Sequence, residues 1–79
     1  MDVQHLVKMA NQIEQFFRAD PDADNAVAGI ENHLRRNWDP RMRTAIIRYC
    51  AEGGEGLGEL ARRAVMRLAP RSAQGNART

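Results

Sequence analysis

His33-Leu34-Arg35-Arg36-Asn37-Trp38-Asp39-Pro40-Arg41-Met42-Arg43 lies in the middle of this 79-residue chain, and its punctuation organises everything on either side. An aspartate followed by proline is how a helix starts: the carboxylate takes an orphan N–H of the first turn, and proline at the first helical position forfeits no hydrogen bond. A helix is therefore expected to begin at Pro40. The residues before Trp38 read as the end of another, near Asn37, with Arg35 and Arg36 favourably placed at the negative end of its dipole.

Working outward, Val3, Leu6, Val7, Ala10, Ile13 and Phe17 follow the three-and-four spacing of one helix face, which predicts a first helix from Asp2 to Arg18 with Asp2 as its N-cap. The run Asp20-Pro21-Asp22-Ala23-Asp24 caps and turns better than it propagates. A second helix is expected to start near Asp22 or Asp24 and to carry Ala26, Val27, Ile30 and Leu34, with Gly29 weakening it slightly. The third presents Met42, Ala45, Ile46 and Tyr49, with Ile47 and Cys50 beside them, and stops at Gly53-Gly54. A fourth, from about Leu57 to Ala69, buries Leu57, Leu60, Ala61, Ala64, Val65 and Leu68 and is closed by Pro70. The expected fold is all-α: a helical domain over residues 1–69, built as a small bundle of four short helices, with a disordered tail over 70–79.

A chain this short stabilises only weakly through a single core. One cysteine, Cys50, allows neither an internal disulfide nor a cysteine zinc site, which suits a reducing cytoplasm. No secretory leader pattern opens the sequence, and no stretch approaches the roughly 20 apolar residues of a membrane span.

Constellations for catalysis are not apparent. His5 and His33 have no carboxylate or cysteine at ligand spacing and read as surface or boundary residues. Cys50, at the end of a helix, reads as an inert thiol on or near the core. The glycines of Gly53-Gly54-Glu55-Gly56-Leu57-Gly58 are not followed by the lysine and hydroxyl residue of a phosphate loop, so a flexible turn is expected. Glu14, Glu31, Glu52, Glu55 and Glu59 read as single solvated carboxylates.

The basic residues are eleven arginines and Lys8 against ten acidic residues, for a net charge of +2. Codon usage in a genome rich in G and C gives the same bias. Arg35, Arg36, Arg41, Arg43 and Arg48 nevertheless gather around the second turn. Arg41 and Arg43 stand in the first turn of a helix, where positive charge is unfavourable, so local stability does not account for them. Trp38 precedes the cap, and Arg43 occupies the position of its staple partner, where a guanidinium could stack on the ring. Trp38 ringed by Arg35, Arg36, Arg41, Arg43 and Arg48 has the composition of an interface hot spot. The alternative is a tryptophan packed in the core with solvated arginines around it.

The quoted stretch resembles the central signature of the delta subunits of bacterial NAD-dependent formate dehydrogenases. Leu6-Val7-Lys8-Met9-Ala10-Asn11-Gln12-Ile13 with Phe16-Phe17 resembles their first helix, and Gly53-Gly54-Glu55-Gly56-Leu57 the turn before their last. The resemblance runs from Met1 to about Leu68; Glu14, where a glycine is common, and the turn Asp20 to Asp24 depart from it. It implies a non-catalytic accessory subunit of a cytoplasmic complex that converts formate and NAD to carbon dioxide and NADH. The implied partners are a catalytic alpha subunit, holding bis-molybdopterin guanine dinucleotide with molybdenum or tungsten and iron-sulfur clusters, and beta and gamma subunits carrying FMN and further clusters. The delta subunit would hold no cofactor and would aid assembly, cofactor maturation or stability. Neither nucleic acid nor membrane is an expected partner. The rival reading is a helix-turn-helix nucleic-acid binder with Arg41, Arg43 and Arg48 on its second helix, although no asparagine or glutamine accompanies them to read base edges.

Overall fold

In a computed structural model, which describes residues 2–69, the chain forms four α-helices: α1 (Val3–Phe17), α2 (Ala23–Asn37), α3 (Pro40–Ala51) and α4 (Glu59–Leu68). The expected disordered tail over residues 70–79, and the helix stop at Pro70, lie outside the described residues. Three aspartates start three helices. Asp2 accepts from the Gln4 N–H at 3.0 Å, Asp22 from Asp24 and Asn25, and Asp39 from Met42 at 2.9 Å with Pro40 in the first turn. Asp20 supports the second of these by accepting from the Asp22 N–H and the Asn25 amide.

The fourth helix starts later than the apolar spacing predicts. Leu57 is buried, but it belongs to the preceding turn, its N–H donating to the Gly54 carbonyl, and the helix begins at Glu59. Burial periodicity marks which residues face the core and is blind to the backbone that carries them. The N-cap is Gly58, which offers no side-chain acceptor. Two residues of α1 supply the missing groups: Glu14 accepts from the Ala61 N–H and Asn11 from the Gly58 N–H, each at 2.8 Å. Glu14 is thus a helix cap and not the solvated carboxylate expected. A side chain at position 58 would meet that carboxylate and push Glu14 away from its place as cap.

The turn between α3 and α4 is likewise more ordered than a flexible linker. Gly53, Gly54 and Gly56 take positive φ angles of 125°, 61° and 92°, which admit few other residues. Side chains then fasten the resulting loop: Arg62 donates to the Gly53 and Gly54 carbonyls, Tyr49 to Glu55, and Asn11 to Gly56.

Ile30, Leu34, Ile46, Val27 and Val65 are the largest fully buried side chains, and all four helices contribute to one core. The most extensive pairing is between α2 and α4. Ala10, Ala26, Ala61 and Ala64 are buried to 1% exposure or less, small side chains that let helix backbones approach closely. Full burial of each large aliphatic side chain contributes about 1.5–3 kcal/mol.

Candidate partner-binding surface

The six residues singled out around the second turn separate into three groups. Trp38 is only 4% exposed and belongs to the core cluster, so its side chain is a packing element before it is anything else. Of the two placements the sequence allowed, the structure takes the core. The expected stacking of Arg43 on the ring is replaced by a backbone contact, for the Arg43 guanidinium donates to the carbonyls of Trp38 and, at 3.1 Å, of Arg35.

Arg43 and Arg35 form the second group, and both serve the fold. Arg43 satisfies carbonyls left open at the end of α2. Its unfavourable position at the start of α3 therefore has a local explanation after all. Arg35 donates twice to Glu31, at 3.1 and 2.9 Å, and once to the Arg67 carbonyl at 3.2 Å. Glu31 also pairs with Arg67 at 3.0 Å, joining α2 to α4. A duplex-reading helix would need Arg43 outward; here it is turned back onto the chain.

Arg36, Arg41 and Arg48 remain. All three are exposed, and their side chains make no hydrogen bond or ion pair among the described residues. Arg41 and Arg48 flank a shallow depression with Pro40, Thr44 and Ala45.

Beside it, at the junction of α1, the end of α2 and the start of α3, lies a groove of about 560 Å³ that the sequence reading missed. Met9, Ile13, Phe16 and Phe17 form its α1 wall, Trp38 and Met42 the opposite side, and Gln12, His33 and Asn37 the polar margin. No carboxylate lines it. Phe16 is 78% exposed and meets Phe17 edge-on, with ring centroids 5.2 Å apart. Phe17 in turn lies on α2 at Gly29, where an added Cβ would come within 2.6 Å of the ring. The signal in the sequence was the adjacent pair Phe16-Phe17. Phe16 points about 100° away from Phe17 and falls off the stripe of Leu6, Ala10, Ile13 and Phe17 that faces the core.

Other chemically suggestive groups are accounted for by packing. Cys50 is buried, and desolvation pushes its thiol above the ordinary range, partly opposed by the nearby Arg62 charge. His5 is exposed and His33 half-buried at the groove margin. Among the described residues no group of three or more His, Cys, Asp and Glu side chains is placed to hold a metal ion, and no helix is long and apolar enough to cross a membrane. In the glycine turn, the N–H groups that a phosphate would need at Gly53, Gly54, Leu57 and Gly58 already donate within the protein.

Compared with known proteins, residues 5–65 match the family described as NADH-dependent formate dehydrogenase delta subunit FdsD. No curated protein and no solved structure gives a match.

Proposed function

Because the chain belongs to the family of NADH-dependent formate dehydrogenase delta subunits, we propose that it is the non-catalytic subunit of a cytoplasmic formate dehydrogenase, binding the catalytic alpha subunit and supporting its assembly, metal-cofactor maturation or stability. On this reading formate oxidation and electron transfer to NAD belong to the other subunits, with their molybdenum or tungsten pterin, iron-sulfur clusters and FMN.

The observation that carries the reading beyond the family is the open apolar groove with Phe16 exposed at its edge. In a chain of this size a large aromatic left in water beside a preformed groove is the mark of a surface covered by another protein. A subunit of this kind acts by differential binding: it stabilises whichever conformation of its partner it binds better, including one able to receive a large anionic cofactor.

The test is to produce the remaining subunits with and without this chain and to measure metal content per alpha subunit, formate-dependent NAD reduction and its thermal decay. Low metal together with low activity supports a maturation role; full metal with faster thermal loss supports stabilisation. If the two preparations match in metal, activity and heat resistance, the proposal fails.

A further inference from the structure

The groove is bounded by charge of one sign. On α2, Arg36 follows His33 by three residues, on the outer side of the groove margin, and on α3 Arg41 flanks Met42 and Ala45 with Arg48 two turns further along the same side. The apolar lining and the arginine depression are thus neighbouring strips of one surface. The acidic side chains on the first three helices and at their N-caps are occupied elsewhere. Asp2, Asp22, Asp39 and Glu14 cap helices, Asp20 holds the turn before α2, Asp24 pairs with Arg63, and Glu31 with Arg35 and Arg67. Glu52, Glu55 and Glu59 are exposed near the glycine turn, at the far end of α3.

We infer that this surface takes an amphipathic helix with acidic flanks from a partner protein, its apolar stripe covering Phe16, Met9 and Met42 and its carboxylates pairing with Arg36, Arg41 and Arg48. The inference rests on the proposed subunit role, which makes the alpha subunit the partner, and adds the face and the chemistry of the contact. An apolar groove between helices fits a helix laid along it, read through side chains spaced three and four residues apart. Unpaired arginines around such a groove set orientation and speed of association when they meet carboxylates. A second copy of this chain would bring the same arginines together, which is repulsive. Residues 70–79, Pro-Arg-Ser-Ala-Gln-Gly-Asn-Ala-Arg-Thr, offer no large apolar anchor and no carboxylate.

The experiment titrates the full chain into purified alpha subunit at low and high salt, with three variants. Phe16→Glu is expected to weaken binding roughly 30-fold or more, the size of a hot-spot loss. Arg36→Glu with Arg41→Glu is expected to weaken it about tenfold and to flatten its salt dependence. Glu55→Arg, on the exposed glycine turn, should bind like the unaltered chain. All four proteins should have matching helical circular dichroism at the assay temperature, since the altered side chains are exposed. Hydrogen exchange should show protection of a carboxylate-bearing segment of the alpha subunit, and changing those carboxylates to lysine should restore binding of the doubly reversed variant. If the unaltered chain binds but both groove variants bind equally well, the inference is wrong while the subunit role stands. If the unaltered chain does not bind the alpha subunit, both fall together. Self-association of the free chain that Phe16→Glu abolishes would assign the groove to a second copy and overturn the inference.

Discussion

Helix α1 has two flanks, and they end in opposite ways. On one, Asn11 and Glu14 reach across to the glycine turn and the start of α4 and bond to backbone groups there. On the other, Met9, Ile13 and Phe16 extend the buried stripe outward until Phe16 stands almost free. A polar flank whose groups are matched has nothing left to offer a partner, because its hydrogen-bonding capacity is used. An apolar flank that runs past the core still has surface to remove from water. The closed flank builds the protein, and the open one is where association is expected.

Trp38 gives the largest expected effect, because it belongs to the core and also lines the groove. Trp38→Ala should lower unfolding stability by about 3–5 kcal/mol, measured by urea titration of helical circular dichroism, which for so small a domain approaches complete loss of structure. A loss under about 1 kcal/mol would return Trp38 to the open surface. Next comes the closed flank: Glu14→Ala leaves the Ala61 N–H without its acceptor and should cost about 1–2 kcal/mol. Because Asn11 holds the same segment, its alanine substitution should be coupled to that of Glu14 in a double-mutant cycle. Additive losses would mean that the two side chains act independently. On the open flank, Phe16→Ser should change stability by no more than about 0.5 kcal/mol. A greater loss would make Phe16 part of the fold.

The smallest effect belongs to Cys50, which can report on both flanks. Burial raises its thiol above the ordinary value of 9.0, so the unfolded chain ionises first as pH climbs. Stability should be indifferent to this group below pH 9.0 and decline above it, a decline that Cys50→Ala removes. Iodoacetamide at pH 8 should label native Cys50 slowly, faster in Glu14→Ala and no faster in Phe16→Ser, followed by mass spectrometry. Equal labelling in all three would dissociate the thiol from the closed flank.

Much of the fold was legible because its signals are short-range. Asp2, Asp22 and Asp39 cap the turns they precede, and Gly53-Gly54 ends α3 through backbone angles that glycine tolerates. The start of α4 was misplaced by two residues because Leu57 is a core residue carried by a turn, and apolar spacing records burial only. For the partner surface, composition around Trp38 brought arginines together in the chain, and in the structure Trp38, Arg35 and Arg43 also hold the fold.

By itself, then, the sequence determined four helices, the aspartate caps of α1 and α3 and the core-facing stripe of each helix, since these depend on residues within a turn or two of one another. Only the tertiary structure decided which way Trp38 packs, that Arg43 closes α2, that Glu14 caps a helix 47 residues away, and that Phe16 and Met42 line one groove. Each depends on which helices become neighbours. That choice belongs to the whole core, whose buried side chains are drawn from every helix, and no local run of residues carries it.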